Sequence, residues 1–331
     1  MRITKTASGM YRTQISLGMG EDGKYHKKSI TAPTRAEVMR IAESYRGRTS
    51  DPTIGEAVDG YIRLKKDVIS PATLKEYISL SNTLKSKYGR FSSVRAGSLD
   101  QKKYQAFVTA RMKDGASPKT IRNNLSLIGA SLKMLDITPP HVTTPRRTKP
   151  TYRIPTEDEV QRISRAAKGT DMEIPLMLAF LGLRRGEICA VRADDLDGSV
   201  LHVQRTVVYD STGTMVEKPP KTASSDRYVT IPDDIADRIR EDGRATTLSP
   251  RRISKRFQKL LDDLRIERFR FHDLRHFFVS YCHTVLKLSD AQIQALGGWS
   301  TSHVMAEFYR QTMRQSEAAD EVAARIAFLT R

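Results

Sequence analysis

Four prolines between residues 138 and 153 limit the folds open to this chain more than any other feature. The segment reads TPPHVTTPRRTKPTYR and also holds four basic side chains, counting Arg153, and no acidic one. Proline lacks a backbone N–H and clashes with the preceding turn, so this stretch cannot lie inside a helix. We expect an extended basic linker over residues 138–153 with a folded unit on each side. The linker either lies along the phosphates of a bound duplex or is a plain tether.

The excess of positive charge lies before and within this linker. The 331 residues include 56 Lys and Arg against 38 Asp and Glu, a net charge of +18. Residues 154–331 are almost balanced, so residues 1–153 carry nearly all of the excess. Such a charge attracts polyanions, and nucleic acid is the usual one. We therefore expect DNA-binding units in front of a domain with another task.

Other classes of protein are disfavoured by composition. No apolar run approaches the ~18 residues that span a bilayer, and the N-terminus has no signal-peptide pattern. No basic amphipathic helix has the bulky apolar anchors of a membrane-surface protein. The only cysteines, Cys189 and Cys282, exclude a disulfide framework and a cysteine-built zinc site. We expect a cytoplasmic, nucleoid-associated protein without a membrane partner.

Residues 1–47 predict a small sheet covered by one helix. Residues 11–17 alternate with the period of a strand, residues 24–31 form a second strand, and Thr34 with Glu37 begins a helix. The second strand carries three lysines that either contact DNA or form a solvated face: Lys24, Lys27 and Lys28.

Residues 52–137 predict a bundle of four helices. Each helix has a recognisable start, either a capping box or a Ser-Pro pair. These starts are Thr53 with Glu56, Ser70-Pro71, Ser98 with Gln101, and Ser117-Pro118. The last helix has an apolar stripe formed by Ile121, Leu125, Ile128, Leu132 and Leu135.

Residues 154–331 predict helices around a short sheet, which makes the whole chain mainly α. Thr156 with Glu159 begins the first helix, residues 201–207 alternate as one strand, and residues 228–231 form a returning strand. An apolar stripe near the C-terminus either packs on its own domain or docks on a neighbouring protomer: Val322, Ile326 and Leu329.

Four short segments of this last unit carry chemistry. In GLRRGE, Arg184 follows a glycine turn, where it can bind two oxygens of one phosphate, and Glu187 can hold its guanidinium. In KTASSDR, Lys221 can reach into a groove or donate a proton. The other two are HDLRH, which begins at His272, and GGW, which is followed by YR after nine further residues. Each segment alone also fits an ordinary structural role.

The histidines of HDLRH do not predict a metal site. His272 and His276 lie one helical turn apart, but no glutamate lies between them in the HExxH arrangement. Arg275 is next to His276 and shares its helix face, and an arginine repels a cation.

Taken in order, the segments resemble the signature of the tyrosine recombinases, the phage-integrase family. The matched positions are Arg184, Lys221, His272, Arg275, Trp299 and Tyr309. The resemblance covers the whole chain. It implies an arm-type DNA-binding domain over residues 1–47, a core-binding domain over residues 52–137 and a catalytic domain with a tail helix over residues 154–331.

The resemblance implies a site-specific recombinase of a phage or other mobile element. Such an enzyme cleaves and rejoins DNA through a covalent 3′-phosphotyrosyl link, here on Tyr309, without metal, ATP or another cofactor. Tyr281 is a competing nucleophile that is more simply interpreted as helix core. A chromosome-resolution recombinase, a phosphotyrosine topoisomerase and a non-catalytic DNA-binding regulator are the alternatives.

The resemblance also implies roles for the site residues. Arg184 and Arg275 would clamp the non-bridging phosphate oxygens, His272 would accept the proton of the tyrosine, and Lys221 would protonate the leaving 5′ oxygen. Trp299 would pack against the phosphate. Supporting residues are Glu187 and His276.

The partners expected from the charge and from the resemblance are core and arm sites on double-stranded DNA, a homo-tetramer in the synapse, a host bending protein and a directionality factor. The candidate DNA contacts are Lys24, Lys27, Lys28, Arg146, Arg147 and Lys149.

Overall fold

The computed structural model describes residues 3–6, 8–19, 25–46, 51–146, 152–220 and 223–301. The chain divides into two compact units, Met1–Thr148 and Lys149–Arg331. Among the described residues, no helix is both long enough and apolar enough to cross a membrane. The mainly helical fold with small antiparallel sheets agrees with the predicted fold class.

The first unit begins with a three-stranded antiparallel sheet and one helix. The strands are β1 (Thr4–Lys5), β2 (Tyr11–Met19) and β3 (Tyr25–Ala32), in that order in the sheet, followed by α1 (Arg35–Arg46). The Glu37 N–H donates to Thr34 Oγ1 at 3.1 Å, so Thr34 caps the helix as predicted. Apolar side chains of β3 and α1 form the small core: Ile30, Ala32, Val38 and Ala42.

A helical bundle follows. Its helices are α2 (Ile54–Lys65), α3 (Pro71–Lys87), the single-turn α4 (Gly89–Ser92), α5 (Gln101–Lys113) and α6 (Pro118–Lys133). The four long helices agree with the prediction, as do the capping box of Thr53 and the N-caps Ser70 and Ser117. The Ser98 prediction was wrong. Asp100 caps α5 instead, because its carboxylate accepts the Lys103 N–H at 2.7 Å while Ser98 ends a preceding 3-10 turn.

The proline-rich segment has neither helix nor strand over residues 137–146, as its composition predicts. It is nevertheless attached to the bundle. Thr143 donates its N–H to Gln105 Oε1 at 2.8 Å and accepts from Gln105 Nε2 at 3.2 Å, and Arg122 donates to the Pro145 carbonyl at 2.5 Å. Val142 packs against the core of the bundle. This part of the segment therefore belongs to the first unit.

The second unit is built on seven helices within its described residues. They are α7 (Glu157–Ala167), α8 (Glu173–Phe180), α9 (Arg185–Ile188), α10 (Asp233–Asp242), α11 (Pro250–Asp263), α12 (Asp273–Thr284) and α13 (Asp290–Gly297). The predicted capping box of Thr156 and Glu159 begins α7. Fully buried apolar residues from helices and strands form one core, among them Leu178, Ile188, Leu201, Phe257 and Leu274.

Five short strands form two antiparallel sheets in the described part of this unit. They are β4 (Leu196–Asp197), β5 (Val200–Val203), β6 (Thr206–Tyr209), β7 (Met215–Lys218) and β8 (Arg227–Thr230); the sheets have the orders β4-β5-β8 and β6-β7. The returning strand is present as β8, but the single strand predicted over residues 201–207 was wrong. Gln204 and Arg205 interrupt it, because both side chains donate to the buried carboxylate of Asp195 at 2.7–3.0 Å.

Candidate active site

Arg184 lies at the beginning of α9, after a turn that requires glycine. Gly182 has φ +86°, and a Cβ there would lie 2.8 Å from the ring of Phe278. The Arg184 guanidinium donates through Nη1 to Glu187 Oε1 at 2.5 Å, and its backbone N–H donates to Glu187 Oε2 at 2.9 Å. The predicted ion pair is therefore present. About a third of the Arg184 side chain stays exposed, so the guanidinium can still meet a ligand.

Glu187 is held between two arginines. Its side chain is 3% exposed, and its Oε2 also accepts from Arg227 Nη2 at 3.0 Å. Burial on its own raises the pKa of Glu187, but the positive charges of Arg227 and Arg184 outweigh burial and leave this pKa below its ordinary value. Glu187 is therefore a carboxylate at neutral pH, and it orients both guanidinium groups.

Sequence reasoning did not single out Arg227, although it lies inside a segment that was noted. The position of Arg227 in the alternating pattern of β8 is the signal that could have identified it. Arg227 and Val229 lie on the buried face of β8, whereas Tyr228 and Thr230 are exposed. A charged residue at an inward position of a strand needs a buried partner, which here is Glu187.

Arg275 is the most deeply buried cation of the site. It lies on α12, is 2% exposed and donates through Nη1 to the Gly182 carbonyl. Its Nη2 is buried and has no hydrogen-bond partner among the described residues. Burial, followed by repulsion from Arg184, moves its pKa well below the ordinary value. An unsatisfied guanidinium N–H beside a second arginine favours the binding of an anionic oxygen.

His272 precedes α12, and its ring meets the ring of His276 edge-on at 5.1 Å between centroids. His272 remains exposed towards solvent. Partial removal from water and the charge of Arg275 nevertheless lower its pKa to about 4. A neutral imidazole at neutral pH can accept a proton.

His276 is 3% exposed and lies against the ring of Tyr152, with 4.8 Å between centroids. Its Nε2 is 3.7 Å from Asp273 Oδ1. Burial, followed by the neighbouring His272, lowers its pKa to about 4. His276 thus supports the ring of His272 from inside the fold.

Trp299 follows the last turn of α13. Gly298 ends the helix in the left-handed conformation, with φ +70°, and its carbonyl accepts from Arg184 Nη2 at 3.0 Å. The Arg275 guanidinium carbon lies 3.6 Å from the centroid of the Trp299 ring. The structure therefore brings together Arg184, Glu187, His272, Arg275 and Trp299.

Of the other predicted residues, the structure describes some and not others. Lys28 and Arg146 are exposed, and Lys27 lies on β3. Tyr281 stacks on Phe277 within α12, with 5.6 Å between centroids. Five predicted residues and the tail stripe lie outside the described residues: Lys24, Arg147, Lys149, Lys221, Tyr309 and residues 322–329.

The segment that follows Lys221 reaches the site. Ser225 Oγ accepts from Arg184 Nη1 at 3.2 Å. On the other side, a cleft beside His272 is lined by Arg185, Arg268 and Arg270, none of which the sequence singled out. In the described part of the chain, no three His, Cys, Asp or Glu side chains are grouped so as to hold a metal ion.

The known proteins to which this chain is similar are recombinases and integrases. No protein-family model matches the chain. A tyrosine recombinase XerC-like protein of Caldanaerobacter subterraneus subsp. tengcongensis is 25% identical over 282 residues, which are 72% of this chain and 69% of the relative. The Tn1549 transposon integrase in complex with transposon right end DNA aligns with a TM-score of 0.66 at 16% identity, over 83% of this chain and 99% of that one.

A lambda integrase tetramer bound to a Holliday junction aligns with a TM-score of 0.58 at 18% identity, over 95% of this chain and 96% of that one. The fold is shared with these integrases, and the curated relative and the order of the site residues support a tyrosine recombinase. Within that class, the solved structures to which it is similar are integrases. The resemblance read from the sequence is thereby confirmed.

Proposed function

We propose that this protein is an integrase that inserts and excises a mobile element in cytoplasmic DNA through a phosphotyrosyl intermediate on Tyr309. One observation carries the proposal: the buried Arg275 has a guanidinium N–H without a partner among the described residues, beside the exposed third of Arg184. A phosphodiester oxygen satisfies that N–H. Both guanidinium groups can then stabilise the extra negative charge that develops on the phosphorane.

In the proposed reaction, the hydroxyl oxygen of Tyr309 attacks the phosphorus and the bond to the 5′ oxygen breaks. His272, neutral at pH 7, takes the phenolic proton, and Lys221 gives a proton to the leaving 5′ oxygen. The phosphotyrosyl link conserves the energy of the broken ester, so religation to a new 5′ hydroxyl needs no ATP. Trp299 holds Arg275 during both steps.

The three-domain assignment is part of the proposal. The alignment with the lambda integrase covers 95% of this chain, so it must extend into residues 1–47. That coverage favours an arm-type domain at residues 1–47, followed by the core-binding bundle over residues 52–137. It favours an integrase over a chromosome-resolution recombinase, which would not need residues 1–47.

The proposed partners are DNA with core and arm attachment sites and three further copies of the chain in a synaptic tetramer, as in the lambda complex. A host bending protein and a directionality factor complete the set. Lys28 and Arg146 are exposed, as phosphate contacts must be, and Arg185, Arg268 and Arg270 line a cleft that leads to His272.

The nucleophile is tested on nicked duplexes made from the DNA that flanks the gene. Wild-type protein is expected to give a slow-migrating, protease-sensitive adduct on a denaturing gel, and Tyr309→Phe is expected to give none while still binding the DNA. Tyr281→Phe is the matched control and should form the adduct. An adduct that persists in Tyr309→Phe would assign the nucleophile elsewhere.

The arm-type assignment needs a separate measurement. Replacing Lys24, Lys27 and Lys28 by alanine should weaken binding to arm sites and leave cleavage at the core site unchanged. Each lost phosphate contact is expected to reduce the slope of log K against log salt by about 0.9. Equal loss at both kinds of site would contradict the assignment.

A further inference from the structure

Arg227 binds three separate parts of the second unit at once. Its side chain is 4% exposed, and its Nη2 donates to Glu187 Oε2 at 3.0 Å. Nη1 donates to the Ser225 carbonyl at 3.1 Å, and Nε donates to the Leu296 carbonyl at 2.8 Å. One guanidinium thus joins α9, the segment that precedes β8 and the last turn of α13.

These attachments lie next to the groups that bind phosphate in the proposed function. Glu187 uses its other oxygen to hold Arg184, and Arg184 in turn donates to the carbonyl of Gly298. Gly298 packs directly on Arg227, since a Cβ there would lie 3.0 Å from Arg227 Cδ. Trp299 is the next residue, and its ring covers Arg275.

Arginine suits this position for a physical reason. A guanidinium presents its donors in a rigid planar fork, whereas a lysine ammonium is a compact charge on a flexible stem. Lysine could therefore neutralise Glu187, but it could not also hold two carbonyls in fixed directions. Loss of the fork leaves the Ser225 and Leu296 carbonyls without this donor.

We propose that Arg227 is a positioning residue of the recombination site. It orients Arg184 through Glu187, and it fixes the turn that carries Trp299 through the Leu296 carbonyl. The effect on strand cleavage rests on the proposed function. The effect on the position of Trp299 does not rest on the proposed function, so an experiment can contradict either effect without contradicting the other.

The first test uses the full-length chain without DNA. Trp299 is the only tryptophan, so fluorescence excited selectively at tryptophan reports the position of this turn alone. Arg227→Lys is expected to raise the acrylamide quenching constant of Trp299 by about twofold, because a half-buried indole becomes open to water. The far-UV circular dichroism should stay that of wild type.

Two further variants complete this test. Arg227→Gln should give a larger increase, and Arg227→Lys decides the outcome if the glutamine variant does not fold. Arg238→Gln is the matched control, because Arg238 pairs with Glu173 at 2.8 Å between α10 and α8. Unchanged quenching in folded Arg227→Lys would overturn the role of Arg227 in placing Trp299.

The second test is a double-mutant cycle on the nicked duplexes. Arg227→Lys is expected to slow adduct formation by roughly 10- to 100-fold while DNA affinity stays within about twofold of wild type. In an Arg184→Ala background the same change should slow adduct formation by a smaller factor than in wild type, because the part of its effect that passes through Arg184 is already lost. If the double variant loses the full product of the two single-variant rate reductions, Arg227 does not position Arg184. If wild-type protein forms no adduct, the proposed function is refuted. The acrylamide quenching of Trp299 would still test whether Arg227 positions Trp299.

Discussion

The guanidinium of Arg275 stacks on the indole face of Trp299, with 3.6 Å between the guanidinium carbon and the ring centroid. The contact covers one face of an arginine that is 2% exposed and leaves its Nη2 edge without a partner among the described residues. Sequence reasoning assigned Trp299 to the phosphate. The structure places it against the arginine that is proposed to bind the phosphate.

Removal of the indole should therefore chiefly affect the position of the Arg275 guanidinium. We expect Trp299→Ala to slow covalent adduct formation by at least about tenfold, because a desolvated cation–π contact contributes about 2 kcal/mol. Trp299→Phe keeps an aromatic face and should retain a larger part of the rate. The measurement is single-turnover cleavage of nicked DNA, and equal rates for the two variants would contradict a stacking role.

A methyl group at Gly297 should displace the indole. A Cβ built there would overlap a carbon of the Trp299 ring, so the ring has to move. We expect Gly297→Ala to raise acrylamide quenching of Trp299 and to slow cleavage, although alanine is the better helix former.

Gly60→Ala is the control for this substitution. It also lies inside a helix, and its Cβ would meet only the ends of flexible side chains at 3.7 Å or more. This variant should be as stable as wild type or more stable, by up to about 1 kcal/mol. An unchanged Trp299 signal in Gly297→Ala would show that the turn adapts.

The second unit should lose stability as the pH falls from about 6.5 towards 4. The unfolded chain binds a proton at each histidine near its ordinary pKa of about 6.5, whereas folded His276 has a pKa of about 4. The unfolded state then binds more protons, which favours unfolding by up to about 1.4 kcal/mol per pH unit for each such group. His272 should contribute less, because it is exposed to solvent.

Urea denaturation at several pH values measures this slope. His276→Gln should reduce it, since the variant has one fewer histidine to protonate. The lowered pKa of Glu187 acts in a different window, because a carboxylate loses its stabilising charge only below about 4.5. A slope between pH 6.5 and 5 that survives His276→Gln undiminished would contradict the assignment.

The attachment of the proline-rich segment depends on Gln105. Its side chain both donates to and accepts from the backbone of Thr143. Gln105→Ala should increase amide hydrogen exchange in the peptide over residues 138–146, as measured by mass spectrometry, because the Thr143 N–H loses its acceptor. Gln101→Ala, an exposed change on the same helix, should leave that exchange rate unchanged. Protection that persists in Gln105→Ala would mean that other contacts hold the segment.

Helix starts were the most predictable part of the fold. The boxes at Thr53 and Thr156 were visible because a capping box is closed by hydrogen bonds that span three residues. Ser98 with Gln101 has the same sequence pattern, but the N-cap of α5 is Asp100. The Asp100 carboxylate accepts the Lys103 N–H in the first turn of that helix. The prediction of one strand over residues 201–207 was wrong because of contacts between residues farther apart in the sequence. Gln204 and Arg205 donate hydrogen bonds to Asp195, and these bonds interrupt the strand.

The sequence by itself determined the order of the elements, the absence of helix in the described residues of the proline-rich segment and the set of residues that resembles a recombinase signature. It also indicated the pair of Arg184 and Glu187, which lie three residues apart. Only the tertiary structure placed Arg227 on Glu187, 40 residues away, and Arg184 on the Gly298 carbonyl, 114 residues away. Local hydrogen bonds leave their pattern in neighbouring residues. A buried guanidinium finds its carbonyl and carboxylate partners only after distant segments have packed and excluded water.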